Sequence, residues 1–311
     1  MRNTMMLAVA QLGPVNSEDG RESIVARLCT LLRDAADAGA KLVTFPELAL
    51  TTFFPRTWME DDADIDAFFE TEMPNPSVQP LFDLARERDV SFYLGYAELT
   101  DDGHRYNTSI LVDGAGQIVG KYRKIHLPGH ADRKDAPFQH LEKRYFEVGD
   151  LGFPVYEDRG RRISMCLCND RRWPETFRVA SLNGAEIMLL GYNTPVHNIH
   201  WQEPEHLRMF HHRLSLQSAA YQNSLWICAA AKAGAEDGRV LIGGSCIVSP
   251  SGEIVAQAAT TGDEIILAVA DLDLGEDFRR NIFNFAAHRR PEFYGAITDP
   301  YPGRVTDRVE E

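Results

Sequence analysis

The residues best suited to chemistry cluster in the stretch Arg162-Ile163-Ser164-Met165-Cys166-Leu167-Cys168-Asn169-Asp170-Arg171-Arg172-Trp173-Pro174-Glu175. Alternating residues suited to a strand lead to a cysteine at the strand's end, a polar turn carries two arginines, and a helix is predicted from Pro174. A thiol at such a junction is presented rather than packed, which makes Cys168 a candidate nucleophile. With an unperturbed pKa of about 8.5, it needs a base or a local positive field to act near neutrality. Glu47 can be that base, because it follows Pro46, which ends a predicted strand at Lys41–Phe45. The free N–H groups at the start of the helix at Pro174 can also favour the thiolate. Attack on a carbonyl creates an oxyanion. Lys124, just past a predicted strand at Ile118–Tyr122, and the backbone N–H of Asn169 fit the task of holding it; one such donor is typically worth about 3 kcal/mol. A second carboxylate, Glu142, can orient the lysine or a substrate nitrogen.

Each of these four residues has a plainer alternative. A strand-end cysteine is more often an inert buried residue, Lys124 within Lys121-Tyr122-Arg123-Lys124 can be solvated, and Glu47 and Glu142 can be surface charges or helix caps. Residue types alone therefore define a hydrolase or transferase with a thiol nucleophile. Cys166 and Cys168 are one residue apart, so they are not a C-x-x-C redox pair, and on a strand both would point to one face. Cys168, at the turn, is the nucleophile of this reading and Cys166 a structural residue.

Composition narrows the class. At 311 residues with 44% hydrophobic content the chain can bury a sizeable core. Its formal charge of −14 argues against a nucleic-acid footprint and for a small-molecule substrate. No window approaches the roughly 18 consecutive apolar residues that a membrane span needs, and Met1 to Gly13 lacks the pattern of a signal peptide. Five cysteines, Cys29, Cys166, Cys168, Cys228 and Cys246, form an odd set without the spacing of a disulfide framework, as expected in a reducing cytoplasm.

The elements that must position these residues follow a β-α-β start: a strand at Met6–Gln11, a helix at Ser23–Gly39 and the strand before Glu47. The acidic run Asp61–Glu72 reads as a solvated helix face. A helix at Pro80–Arg88, a strand at Val90–Tyr96 and a hairpin of Asn107–Val112 with Ile118–Tyr122 come next. After the Cys168 strand and its helix, a strand at Ala185–Gly191 ends at Tyr192-Asn193-Thr194-Pro195, a loop covers Val196–Arg208, and a helix spans Met209–Asn223. Strands at Leu225–Ala231 and Ile265–Leu272 flank a second hairpin, Ser245–Ser249 with Ile254–Ala258. Two β-rich halves, each with a late hairpin, suggest two sheets packed face to face with helices outside. The likeness of the hairpins is too weak to define a repeat. One domain over 1–298 and a surface tail over 299–311 are expected.

Phe45-Pro46-Glu47, Gly120-Lys121-Tyr122-Arg123-Lys124-Ile125-His126-Leu127 and Cys168-Asn169-Asp170 resemble, in order, the three signature regions of the nitrilase superfamily of carbon-nitrogen hydrolases. The resemblance runs from Leu7 to about Tyr294. It implies an α/β fold, a four-layer α-β-β-α sandwich of the nitrilase type, a Glu47-Lys124-Cys168 triad, and Glu142 as the supporting second glutamate. Within the superfamily the chain is similar to the N-carbamoyl-D-amino acid amidohydrolases, through Pro46 to Pro55, His140 to Glu147, Cys168 to Glu175, Gly191 to Pro195, Phe210-His211-His212 and Ile282-Phe283-Asn284-Phe285. The loop Asn198 to Arg208 departs from their pattern, which leaves the substrate's side chain open.

The resemblance gives the arginines a reason. A substrate with an α-carboxylate needs a cationic clamp, and Arg171 and Arg172 follow the nucleophile closely enough to provide one. Alternatively, one of them pairs with Asp170 or Glu175. The resemblance also implies that His126, His140, Asn193 and Thr194 line the pocket; otherwise each is a hydrogen-bonded structural residue. His197, His200, His206, His211 and His212 match no metal-ligand spacing, so neither a metal nor another cofactor is expected. The expected ligand is an N-carbamoyl amino acid, with a β-ureido acid, an aliphatic amide or a non-catalytic scaffold as rivals. A homodimer or homotetramer follows from the resemblance, with Ile282–Phe285 either a subunit contact or a strand packed within its own chain.

Overall fold

The computed structural model describes residues 3–134, 139–197 and 204–299. The strands β1 (Thr4–Gln11), β2 (Leu42–Thr44) and β3 (Ser91–Leu99) run parallel, and β4 (Arg105–Val112) and β5 (Ile118–Arg123) continue the sheet antiparallel. The helices α1 (Arg21–Asp37), α2 (Asp62–Asp66) and α3 (Gln79–Arg88) lie in the connections. Beyond the helical turn α4 (Glu142–Tyr145), the second half opens with β6 (Val155–Asp158), antiparallel to β7 (Arg161–Leu167). Strands β7, β8 (Ile187–Tyr192) and β9 (Trp226–Ala231) are again parallel, with α5 (Pro174–Leu182) and α6 (Glu205–Asn223) between them. A small hairpin, β10 (Ala233–Glu236) and β11 (Arg239–Ile242), precedes β12 (Cys246–Val248) and β13 (Ile254–Gln257), which extend the sheet antiparallel. Finally β14 (Glu264–Asp271) returns to pair with β1, and α7 (Leu272–Asn281) follows it.

The two six-stranded sheets have orders β14-β1-β2-β3-β4-β5 and β13-β12-β9-β8-β7-β6. Strand for strand, β1 to β5 match β7, β8, β9, β12 and β13: parallel, parallel, antiparallel, antiparallel. The two hairpins noted in the sequence thus occupy equivalent places, and the repeat that they were too weak to define exists as topology.

Alternation along β1 shows how the layers form. Leu7 and Val9 pack with Ile163, Met165, Ile227 and Ala229 of the other sheet, while Ala8 and Ala10 pack with Leu28 and Leu32 of α1 and Phe82 of α3. Phe177 and Ala180 of α5 and Leu216 and Ala220 of α6 join the core from the second sheet's outer side. The result is the expected four-layer α-β-β-α sandwich. Tyr93 pins the sheets together: its hydroxyl donates to the Cys166 carbonyl of β7 at 3.0 Å and accepts from the Gly191 N–H of β8 at 3.1 Å.

Several local expectations change. The helix α6 starts at Glu205, so Arg208, expected in a loop, lies in its first turn. Only the first half of the acidic run is a solvated face; Glu70 is buried and pairs with Arg21 at 2.7 Å. Ile282–Phe285 is not a strand: it links α7 to a short helix at Phe285–His288, and Phe283 packs edge-on against Tyr221 of α6 at 4.9 Å. Residues 300–311 of the expected tail, and residues 198–203 of the divergent loop, fall outside the described residues.

Candidate active site

Glu47 lies in the turn that follows β2, held where the sheets meet. Two glycines permit this approach. A Cβ on Gly95 of β3 would lie 2.7 Å from Glu47 Cα, and one on Gly191 of β8 would lie 2.3 Å from Glu47 N. The Asn193 side chain donates to the Glu47 carbonyl at 2.8 Å and the Asn193 backbone N–H donates to Oε2 at 3.0 Å. Asn107, at the start of β4, donates to Oε1 at 2.9 Å.

Lys124 leaves β5 on the same side. Register places Arg123 opposite Thr108, and Thr108 opposite Tyr96, so β3 and β5 end at one edge of the sheet. The ammonium donates to Glu47 Oε1 at 2.7 Å and to Glu142 Oε2 at 2.5 Å, with all three side chains fully buried. An ammonium has three donors; the third is available to an oxyanion. Glu142 sits at the start of α4, and its other oxygen lies 3.0 Å from His140 Nε2. Gly129 lets the preceding loop reach this histidine, since a Cβ there would lie 2.1 Å from the His140 carbonyl oxygen.

These environments push the two carboxylates apart. Burial raises the pKa of Glu47, assisted by the charge of Glu142, and the pull of Lys124 only partly offsets it. Glu142 is equally buried, but Lys124 and His140 outweigh that cost and hold its pKa below the ordinary value. Burial opposes the Lys124 charge, yet Glu142 and Glu47 prevail and keep the ammonium protonated. A carboxylate whose pKa is raised beside a partner held ionised is the division of labour that acid–base catalysis uses.

Cys168 is not the last residue of the strand, as the sequence suggested. β7 ends at Leu167, and Cys168 opens a 3₁₀ turn, Cys168–Arg172, with a left-handed backbone (φ 40°). For a residue with a Cβ this conformation costs about 1–3 kcal/mol and must be imposed by its surroundings. Asp170 imposes it: its buried carboxylate accepts from Tyr122 Oη at 2.8 Å, from Leu167 N at 2.9 Å and from His126 N at 2.9 Å, and lies 2.8 Å from His126 Nδ1. Arg171 Nη1 is 3.6 Å from Sγ and the Asn193 carbonyl oxygen 3.8 Å. Five residues separate the thiol from the start of α5, so Arg171 and Lys124 supply the positive field instead. Burial and the Glu47 charge still dominate and raise the thiol's pKa. In the resting site the proton therefore stays on sulfur.

Neither Asp170 nor Glu175 takes Arg171. The buried guanidinium donates to the Cys168 carbonyl at 2.6 Å and to Thr194 Oγ1 at 2.7 Å, and lies 4.8 Å above the Tyr192 ring. Arg172 is exposed at the rim. A cavity of about 300 Å³ is lined by Cys168, Asn169, Arg171, Arg172, Asn193 and Thr194, with His140 on one wall. Arg208 also lines it; it was missed because the helix was expected to begin at Met209, one residue beyond it. Asn107 was missed because nothing local distinguishes a polar residue at a strand's start. His126 is a correction: it is not among the cavity's lining residues. Its ring is bound to Asp170 and stacked on Trp173 at 4.9 Å, and its carbonyl accepts from Asn169 Nδ2 at 3.0 Å.

Among the described residues no group of three or more His, Cys, Asp or Glu side chains is arranged to hold a metal, and no helix is long and apolar enough to cross a membrane. A buried carboxylate–ammonium–carboxylate group beside a turn-mounted thiol can transfer an acyl group from a carbonyl to water.

The comparisons with known proteins agree. The family model described as carbon-nitrogen hydrolase matches residues 6–280, and the chain belongs to that family, the nitrilase superfamily. It is an enzyme of the carbon–nitrogen hydrolase class, acting on amides. It is 31% identical over 268 residues to a nitrilase of Pyrococcus abyssi, covering 85% of this chain and 90% of that one. An N-carbamoylputrescine amidase of Arabidopsis thaliana is 30% identical over 287 residues, covering 88% and 89%. The structure of a carbon-nitrogen hydrolase from Helicobacter pylori superposes with a TM-score of 0.83 at 25% identity, covering 96% of this chain and all of that one.

Proposed function

We propose that this enzyme hydrolyses N-carbamoyl amino acids to the free amino acid, carbon dioxide and ammonia. The preference for the D hand comes from sequence resemblance alone. The observation that carries the reading is the buried guanidinium of Arg171, 3.6 Å from Sγ and lining the same cavity as Arg172. The thiol itself calls for a positive field, but a pair of arginines lining the cavity beyond it suits an α-carboxylate, which a simple amide lacks. That a relative is an N-carbamoylputrescine amidase supports a carbamoyl group as the reacting unit.

In this mechanism Cys168 attacks the ureido carbonyl as Glu47 takes its proton. Lys124 and the Asn169 N–H hold the oxyanion. Glu47 passes the proton to departing ammonia, leaving the carbonyl as a thioester on Cys168. Water, deprotonated by Glu47, then cleaves the thioester and returns the thiol. The released carbamate decomposes to carbon dioxide and the amino acid. Association into a homodimer or homotetramer is part of the same proposal and is read by sedimentation.

The test is ammonia release from N-carbamoyl-D-phenylalanine, its L enantiomer, N-carbamoyl-β-alanine and propionamide. Turnover of the D compound above the others is expected. Turnover of propionamide or the β-ureido acid alone would replace the proposed substrate, and a Cys168 that does not react with iodoacetamide would favour a scaffold.

A further inference from the structure

A second lobe, of about 280 Å³, opens beside the nucleophile's cavity and shares His140 and Pro195 with it. Gln139 and His197 also line it, and the rest of its wall comes from two segments that take no part in the chemistry. One is the β10–β11 hairpin, reversed at Asp237-Gly238 with both residues left-handed (φ 45° and 74°), as a tight two-residue turn requires. The other is the turn carrying Phe53 and Arg56.

The hairpin is tied to the catalytic segment through the backbone. Ile242 N–H donates to the Thr194 carbonyl and Val196 N–H to the Val240 carbonyl, both at 2.9 Å, and Pro195 pairs with Leu241. Glu236 anchors the lobe from below. Fully buried, it pairs with Lys232 at 2.8 Å and with Arg56, and accepts from Phe53 N at 2.7 Å and Val15 N at 3.1 Å. The charge of Arg56, which lines the lobe, is thereby offset by Glu236; Arg239 of the hairpin lines it as well. Phe53, Pro195, Val240 and Leu241 present apolar surface to it, and Phe53 packs edge-on against His140 at 5.6 Å. His140 thus faces the lobe with its ring while reaching Glu142 with Nε2.

We propose that this lobe is the side-chain subsite of the enzyme, receiving a bulky apolar group, aromatic or branched, from the substrate's α-carbon while the ureido carbon lies at Cys168. The inference rests on the N-carbamoyl amino acid reading. A cavity of about 150 Å³ admits benzene, so the lobe has room for a phenyl- or indole-sized group. Apolar walls on a rigid frame, next to a few convergent polar groups, are the usual make-up of a small-molecule site.

The experiment compares kcat/KM for the N-carbamoyl derivatives of phenylalanine, alanine and glutamate, in the hand that the enzyme accepts. Phenylalanine is expected to exceed alanine on the order of ten- to hundredfold, as burial of a phenyl group implies, chiefly through KM. Val240→Trp, at a half-exposed position on the hairpin, fills the lobe and lowers that ratio at least tenfold. Val240→Lys shifts preference from phenylalanine toward glutamate and keeps the test decisive if the tryptophan variant does not fold. Equal rates for phenylalanine and alanine that neither variant alters, or a wild-type preference for glutamate, overturn the subsite and leave the reaction standing. No turnover of any derivative overturns the reaction, and the subsite with it.

Discussion

Replacing Glu142 by glutamine removes one charge from the buried group and preserves its shape. In the native site two carboxylates share one ammonium, at 2.7 and 2.5 Å, so their oxygens are no more than about 5 Å apart. At an effective dielectric constant of about 20, unit charges at that separation repel by about 3 kcal/mol. That is equivalent to roughly two pH units in the titration of either group. The sign is definite. Burial raises the pKa of Glu47 and the Glu142 charge raises it further, so Glu142→Gln lowers it and leaves Lys124 to Glu47 alone. The acid limb of kcat/KM, which follows deprotonation of Glu47, should move to lower pH by one to two units, on the order of the repulsion removed. The plateau should fall about ten- to hundredfold, because a weaker base accepts the thiol proton less readily. Ammonia release from pH 4 to 9 measures both, with far-UV circular dichroism confirming the fold. An acid limb that stays in place, or moves upward, would refute the assignment of Glu47 as the base and Glu142 as its ionised partner.

Two further perturbations probe the thiol and its frame. Because burial and Glu47 raise the pKa of Cys168, its alkylation by iodoacetamide should accelerate about tenfold per pH unit from 7 to 9, and Cys168→Ala should remove that component, leaving only reaction at other thiols such as the half-buried Cys29; a rate at Cys168 that levels off below pH 8 would instead indicate a preformed thiolate. Gly191→Ala forces a Cβ against the Glu47 backbone and should cost about 3 kcal/mol in denaturant unfolding, whereas Gly262→Ala, where a Cβ meets nothing within 4 Å, should stay within about 0.5 kcal/mol of the parent; equal effects would show that the close approach carries no strain.

The proposed catalytic residues Glu47, Lys124 and Cys168 were legible because each follows a strand with a local signature. Pro46 ends β2 before Glu47, alternation in β5 stops at Lys124, and the polar turn after β7 marks Cys168. The conformation of Cys168 was not legible, since Asp170 is held by Tyr122, 48 positions away in sequence. Residue pattern carries such a bond only as co-occurrence of motifs. Glu142 sits in a four-residue helix, too short for any period to appear. The β10–β11 hairpin was missed because Ala233-Gly234-Ala235-Glu236 lacks the alternation and branched residues of a strand, although Asp237-Gly238 is a strong turn signal. His126 misled because its motif position is right but its ring serves the turn rather than the cavity.

The concealed repeat explains why the site needs the whole chain. Glu47 follows β2 and Asn193 follows β8, equivalent strands of the two halves, and the two residues are joined by two hydrogen bonds across the seam. The ends of matching strands thus carry the proposed base in the first half and the residue that holds it in the second. Lys124 and Glu142 come with the first sheet, Cys168 and Arg171 with the second. Neither half holds both the proposed base, Glu47, and the proposed nucleophile, Cys168. Tyr93, which crosses between the sheets and bonds to the strands that carry Cys166 and Gly191, therefore ties together the two sheets that bring Glu47 and Cys168 to the site. Divergence of the two halves at the sequence level follows from this: the fold requires the same strand plan twice, but the chemistry requires a different side chain at the end of each matching strand.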